Sequence, residues 1–253
     1  MSQKVVRPRV DPRIEYPDTD GEPMSDNEAS EWRMVDCWTA LRRACRRKGF
    51  RAYVGMSVFV YPVEGKPWLR NSPDLFAAPG SDPEGLRTSF RCWEEGGRVE
   101  FAGEFLSRTR HERLESPEVD DRVRFYRDEL RTRELFLYEP LGFHFRDGFR
   151  FSFRRLDLDG DYREVPPGED GWHRSEVIPF EFRPLDDRVE FRDPATGEVF
   201  LPDRLRAEAV ESRAEAVESR AEAEKTPAEA AQARIRELEE ELERLRGGGP
   251  AGG

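Results

Sequence analysis

Apolar residues near the N-terminus recur at a helical spacing. They follow one another at every third position: Trp32, Val35, Trp38, Leu41 and Ala44. This spacing predicts an amphipathic helix, which Asp26 or Asn27 can cap and which Gly49 ends. Residues 1–25 mix prolines with charged residues and lack apolar periodicity, so we expect an extended or disordered lead-in before the helix.

Four later segments are rich in β-branched and aromatic residues, which favour strands. They cover residues 51–61, 69–78, 98–107 and 134–138. Between the third and the fourth, residues 118–131 carry apolar side chains at a helical spacing. The order is therefore helix, three strands, helix and strand. This order predicts an α/β domain in which helices pack against a sheet.

Residues 141–201 have the pattern of an all-β segment. Phenylalanines between positions 143 and 153 recur mostly at every second residue, and Asp147-Gly148 is a typical hairpin turn. These aromatic side chains are better explained as core than as a ligand platform. We therefore predict an antiparallel β extension that completes one domain over residues 26–201.

The C-terminal tail repeats every seven residues. Residues 206–212 recur as 213–219, and two seams of mostly apolar residues run through the tail. One seam holds Ala207, Ala214, Ala221, Ala228, Ile235 and Leu242, and the other holds Val210, Val217, Glu224, Ala231, Leu238 and Leu245. The pattern predicts a heptad-repeat helix over 202–246, followed by a flexible Gly-rich end over 247–253.

Two interpretations of this tail stay open. It can form a coiled coil, as a homodimer through residues 202–246 or with another partner, or it can be a single solvated helix. Thr226-Pro227-Ala228-Glu229 also forms a capping box with proline at the first helical position. A second helical segment could therefore start there, in register with the first.

Charge restricts the partners that the chain can bind. Its 253 residues carry a formal net charge of −11, and charged residues make up 38% of the sequence. Nucleic-acid-binding proteins usually present a basic face, so DNA binding would require a basic groove within an acidic protein. Arginine supplies nearly all of the positive charge, because the chain has only four lysines: Lys4, Lys48, Lys66 and Lys225.

Cysteine usage and hydropathy indicate the compartment. The three cysteines suggest neither a disulfide framework nor a paired metal site, so we expect a reducing, cytoplasmic environment. No apolar run approaches the length of a membrane span, and the N-terminus lacks an apolar signal core. The sequence therefore predicts a protein without membrane segments.

Two acids stand out because they belong to apolar strands. Asp74 follows Pro73, and Glu104 lies among Phe101, Phe105 and Leu106. A buried carboxylate without a partner is costly, so each acid needs a cation or a set of donors. On neighbouring strands the two could share a divalent metal ion. The structural alternative is that both acids simply pair with arginines.

Short motifs along the chain resemble the Uma-type restriction endonuclease family, a branch of the PD-(D/E)XK nuclease superfamily. The matching segments are residues 20–26, 54–61, 72–76, 93–96, 104–107, 125–126, 134–140, 175–177 and 196–198. The resemblance covers roughly residues 15–201 and depends on the order of the motifs. It implies a restriction-endonuclease-like core, extended by the antiparallel β segment and the coiled-coil helix.

The resemblance also implies an activity. The family's site would cleave phosphodiester bonds in DNA, expected to be double-stranded, with Asp74 and Glu104 holding Mg²⁺ or Mn²⁺. The acid of the first helix would be Asp26, with Glu28 as the neighbouring candidate. The family's lysine lies four residues before a tyrosine of the second helix. That tyrosine is Tyr126, so Arg122 occupies the lysine position.

Arg122 is the main departure from the family pattern. Arginine keeps the positive charge, but it cannot lose a proton to act as a base. Ser57, Arg131-Thr132 and residues 107–110 also differ from the family. Two functions therefore remain: a metal-dependent endonuclease in which Arg122 stabilises phosphate charge, or a catalytically impaired binding or assembly module that oligomerises through its coiled-coil tail.

Overall fold

The computed structural model describes residues 14–19, 21, 28–106, 114–139 and 149–247. The chain divides into two compact units, Met1–Asp203 and Arg204–Gly253. The first unit is a mixed α/β domain. The second is a single long helix over its described residues.

The first unit is built on a six-stranded mixed sheet with the order β1-β3-β5-β6-β7-β8. Its strands are β1 (Ala52–Gly55), β3 (Leu75–Pro79), β5 (Phe101–Phe105), β6 (Glu134–Glu139), β7 (Arg150–Leu156) and β8 (Tyr162–Glu164). Neighbouring strands are antiparallel except for β5 and β6, which run parallel. A parallel pair needs a crossover connection, and the helix after β5 lies in that crossover.

The first helix, α1 (Glu28–Lys48), ends where the sequence predicts. Gly49 adopts a left-handed φ of 61°, which glycine reaches without a steric penalty. The last turn carries Arg46, Arg47 and Lys48, and positive charge there is favourable against the helix dipole. The predicted caps, Asp26 and Asn27, lie outside the described residues.

The sheet separates two apolar layers because side chains alternate along each strand. In β3, Leu75 and Ala77 face the layer that contains α1. Phe76 and Ala78 face the opposite layer, which contains α2 (Pro117–Arg124) and the π-helical segment Phe125–Leu130. A side chain's position in this alternation therefore decides which helix it meets.

Two segments differ from the sequence prediction. The strand expected over 51–61 is broken at Ser57, whose φ is 50°. β1 therefore ends at Gly55, and β2 (Phe59–Tyr61) belongs to a separate pair of strands. β2 runs parallel to β4 (Ser89–Arg91). The helix expected over 118–131 changes from α to π geometry at Phe125.

The β extension is antiparallel, as predicted. β7 and β8 continue the main sheet, while a second sheet has the order β12-β11-β10-β9. Its strands are β9 (His173–Arg174), β10 (Glu181–Pro184), β11 (Val189–Arg192) and β12 (Val199–Phe200). Phe180, Phe182 and Phe191 belong to the same apolar layer as α1. The predicted Asp147-Gly148 turn lies outside the described residues.

The described part of the second unit belongs to one helix, α3 (Asp203–Gly247), which continues without a break through Pro227. The proline therefore does not start a separate helix. Its heptad seam positions from Val210 to Leu242 are exposed wherever their side chains are described. Although α3 is long, none of the helices in the described part of the chain combines the length and apolar character needed to cross a membrane.

Candidate active site

The pairing of β3 with β5 places the two predicted acids side by side. Leu75 pairs with Gly103 and Phe76 with Ala102, so one further step of the antiparallel register sets Asp74 opposite Glu104. Phe76 and Ala102 both face the α2 layer, and side chains two residues apart in a strand share a face. Asp74 and Glu104 therefore point towards the same helix.

Asp74 is held by the neighbouring strand. Its Oδ2 accepts a hydrogen bond from the backbone N–H of Phe105 at 2.7 Å. The side chain is half-buried and lies just before β3 begins at Leu75. This bond fixes one carboxylate oxygen, because the donor belongs to the backbone of β5 and cannot rotate away.

Glu104 is almost completely buried, with 1% of its surface exposed. Its Oε2 accepts a hydrogen bond from Nη1 of Arg122 at 2.9 Å. Its Oε1 accepts a hydrogen bond from the hydroxyl of Tyr126. A charged donor and a neutral donor thus offset the large cost of removing this carboxylate from water.

Arg122 and Tyr126 reach the same carboxylate because they lie four residues apart, on one face of the helix. Arg122 belongs to the last turn of α2, and Tyr126 is the second residue of the π-helical segment. The Tyr126 backbone carbonyl accepts hydrogen bonds from the backbone N–H groups of both Arg131 and Thr132. Such π turns often occur at functional sites.

The electrostatic environment keeps Tyr126 protonated. Complete burial of its side chain raises its pKa well above the ordinary value, and the nearby charges of Glu104 and Asp74 raise it further. The positive charge of Arg122 lowers the pKa of Tyr126, but this effect is smaller than the combined effect of burial and the two acids. Tyr126 is therefore a stable hydrogen-bond donor to Glu104 and an unsuitable general base.

The structure brings together three of the four predicted site residues: Asp74, Glu104 and Arg122. Asp26 lies outside the described residues, as do residues 107–110. Glu28, the neighbouring candidate, is exposed and accepts a hydrogen bond from Nε1 of Trp32 at 3.3 Å.

Tyr126 belongs to the candidate site, although the sequence analysis used it only to locate Arg122. A tyrosine on the apolar face of a helix is ordinarily part of the core, and Tyr126 is indeed buried among apolar residues. The signal was its spacing from Arg122, which puts both side chains on one face. The Phe105 N–H could not be found in the same way, because a backbone donor leaves no trace in the sequence.

The donor set suits a hydrated divalent cation. Mg²⁺ commonly binds through one or two carboxylates, water and substrate phosphates, and Asp74 with Glu104 offers two carboxylates on one face. Hydrogen bonds from Phe105 and Tyr126 are of the kind that orient metal-binding carboxylates. Within the described residues, no group of three or more His, Cys, Asp and Glu side chains could hold a metal ion.

Known proteins give no independent identification. No protein-family model, curated protein or solved structure matches the chain significantly. Function must therefore be inferred from the side chains that converge on Glu104 and from the motifs of the sequence.

Proposed function

We propose that the first unit is a metal-dependent DNA endonuclease with a PD-(D/E)XK core, whose site contains Asp74, Glu104 and Arg122. The observation that carries this proposal is the convergence of the three residues. The register of β3 and β5 sets the two acids side by side, and Arg122 lies 2.9 Å from Glu104. These residues come from separate motifs, thirty and eighteen positions apart in the sequence.

The order of the elements supports the same proposal. A helix precedes three strands of the main sheet. Asp74 lies just before the second of these strands, and Glu104 lies near the end of the third. A helix bearing Arg122 then leads into a strand parallel to the third. The motifs that resemble the nuclease superfamily follow one another along the chain in the same order. Mg²⁺ or Mn²⁺ is the expected cofactor, and duplex DNA the expected substrate.

Each residue has a distinct role in this proposal. Asp74 and Glu104 would hold the cation, which when bound neutralises phosphate charge and lowers the pKa of an attacking water. Phe105 and Tyr126 fix the orientation of the two carboxylates. Arg122 would bind a phosphate oxygen, since a guanidinium donates hydrogen bonds in a fork that matches phosphate. It remains protonated throughout, so the proton of the water must leave by another route.

The second candidate is a catalytically impaired binding or assembly module. The specific observation in its favour is that Glu104 is already neutralised by Arg122, so the buried charge does not require a metal ion for stability. Calorimetric titration with Mg²⁺ and Mn²⁺ separates the two candidates. The endonuclease should bind metal ions in a manner that Asp74→Asn weakens, whereas the impaired module should show no binding that depends on Asp74.

Cleavage of supercoiled and linear duplex DNA by the purified full-length chain tests the proposal directly. We expect cleavage with Mg²⁺ or Mn²⁺ and its loss in excess chelator. Asp74→Asn should slow it about 100-fold or more, because even the partners of metal ligands are typically worth 10- to 100-fold. Arg122→Lys should retain activity, because the charge is kept at the position where the family has lysine.

Asp159→Asn is the matched control, because it makes the same chemical change in an exposed turn and should leave cleavage unchanged. A wild-type chain that cleaves DNA with neither metal ion contradicts the proposal. An Asp74→Asn variant that cleaves as fast as the control also contradicts it.

A further inference from the structure

The helix α3 exposes a stripe of apolar residues at its seam positions, wherever their side chains are described. The described branched aliphatic side chains of its two seams are between 47% and 64% exposed: Val210, Val217, Ile235, Leu238 and Leu242. Apolar side chains that recur every three and four residues along an otherwise charged helix are typical of a coiled-coil surface. The stripe therefore suits a partner helix of matching period.

The charges that border this stripe are sorted by sign. The position just before the first seam residue of each heptad, called g, holds Arg206, Arg213, Arg220, Pro227, Arg234 and Glu241. The position just after the second, called e, holds Glu211, Glu218, Lys225, Gln232, Glu239 and Arg246. In coiled coils, residues at e and g set the choice and orientation of the partner.

A second copy of the chain matches these charges when it runs parallel and in register. Each g residue then faces the e residue five positions further along the partner helix. Four of these pairings join opposite charges: Arg206 with Glu211, Arg213 with Glu218, Arg234 with Glu239, and Glu241 with Arg246. Arg220 with Lys225 joins like charges, and Glu224 of the second seam faces its own copy. Charge complementarity therefore favours this arrangement.

An antiparallel pair of the same length loses this advantage. It sets g against g and e against e, so Arg213 faces Arg234 and Glu218 faces Glu239. These repulsive pairs cancel the attractive ones that remain at the two ends of the helix. The parallel register also places Ile235 and Leu238 against their own copies, and isoleucine at the first seam with leucine at the second favours two strands.

We propose that residues 206–246 form a parallel, in-register, two-stranded coiled coil with a second copy of this chain. The folded units Met1–Asp203 of the two copies are then joined to the same end of the coiled coil. This proposal does not depend on the nuclease proposal, because it concerns only α3 and is tested by molar mass rather than by DNA cleavage.

The molar mass of the full-length chain in solution, measured by light scattering and sedimentation, gives the first test. We expect twice the chain mass of 29.4 kDa. The double variant Leu238→Asp, Leu242→Asp should be monomeric, because it puts four carboxylates into the seam. Arg236→Asp with Glu243→Asp is the matched control on the opposite face and should remain dimeric. A monomeric wild type, or a dimer that survives the seam variant, overturns the proposal.

A single charge reversal gives the orientation. Arg213→Glu places glutamate against Glu218 in the parallel dimer and should weaken association about tenfold, since each dimer contains the pair twice. In an antiparallel dimer the same change places glutamate against Arg234 and would strengthen association. Adding Glu218→Arg should restore wild-type affinity. Glu215→Arg, on the outer face, is the control. Tighter association of Arg213→Glu, or no rescue by the second change, refutes the parallel arrangement.

Discussion

Glu104 carries a negative charge that is almost completely withdrawn from solvent. Two side chains of one helix compensate for it: Arg122 through an ion pair and Tyr126 through a hydroxyl donor. Removing one partner of a buried charge destabilises a protein more than replacing the whole pair by apolar groups. The charge that is left behind still carries its desolvation cost. The stability of the domain and the geometry of the candidate site therefore depend on the same three side chains.

Tyr126→Phe removes only the hydroxyl that donates to Glu104. We expect a loss of about 1–3 kcal/mol in the free energy of unfolding at neutral pH, because a buried carboxylate oxygen loses a donor. Tyr162→Phe is the comparison, since its hydroxyl donates to the neutral carbonyl of Thr132 at 2.7 Å and should be worth about 1 kcal/mol. Urea titrations at pH 7 measure both variants.

The raised pKa of Tyr126 adds a pH dependence of known sign. The unfolded chain ionises this phenol near pH 10, whereas the folded chain does not, because burial and the charges of Glu104 and Asp74 hold the pKa higher. The folded state then binds more protons than the unfolded state, so stability falls as the pH rises above about 10. The difference in the free energy of unfolding between wild type and Tyr126→Phe should therefore narrow above this pH. A constant gap up to pH 11 contradicts this.

The two acids could be singled out from the sequence because Asp74 and Glu104 belong to apolar strand segments. Arg122 was indicated only by the resemblance to the nuclease family, which has a lysine four residues before the tyrosine. Which partner Glu104 takes could not be predicted, because it depends on how α2 lies across β5. A helix face presents several side chains, and only packing selects among them.

The strand β5 contains a glycine that its neighbour requires. A Cβ atom at Gly103 would lie 2.0 Å from the ring of Phe136 on β6, closer than two non-bonded carbon atoms can approach. The ring thus occupies the space that a side chain would need. Gly103 directly precedes Glu104, so this close contact between β5 and β6 lies next to the candidate site.

Gly103→Ala should therefore destabilise the domain by about 1–3 kcal/mol, the usual cost of overpacking a core. A double-mutant cycle identifies the cause. Phe136→Leu frees part of the space, so it should cost less in the Gly103→Ala background than in the wild type, with a coupling of 0.5 kcal/mol or more, as expected for residues in contact. Thermal or urea unfolding of the four proteins measures it. Additive effects would contradict the proposed clash.

Hydrophobic periodicity predicted the order of helices and strands in the core but not all of their limits. The segment 51–61 contains β-forming residues almost throughout, so no sequence signal marks the break at Ser57. Serine rarely adopts a positive φ, and here the tertiary structure imposes it. The π-helical segment was missed for a similar reason, because its residues are equally compatible with an α-helix.

Long-range ion pairs connect parts of the first unit that are distant in sequence. Lys48, at the end of α1, binds Oδ2 of Asp193 at 2.6 Å across 145 residues. Asp193 also accepts hydrogen bonds from Ala195 N–H and the Thr196 hydroxyl, both at 3.0 Å, in the turn before β12. The sequence shows that the chain is rich in charges, but it cannot show which charges meet, because that depends on the complete fold.

Asp193→Asn tests how much this connection stabilises the domain. The hydrogen bond from Lys48, followed by those of the turn, lowers the pKa of Asp193. A lowered pKa in the folded state means that the contribution is present above the unfolded value of about 3.9 and is lost as the pH falls through the folded value. We expect Asp193→Asn to be less stable than wild type at pH 7 in urea titrations.

The same gap should narrow as the pH falls below the unfolded value of about 3.9, because protonation of the folded Asp193 removes the charge that the substitution removes. Asp187→Asn changes an exposed residue between β10 and β11 and should alter stability little at neutral or acid pH. If the gap between wild type and Asp193→Asn persists unchanged in acid, the hydrogen bonds of the turn rather than the charge of Asp193 stabilise this region. α1 would then be attached to the second sheet chiefly by the apolar layer that they share.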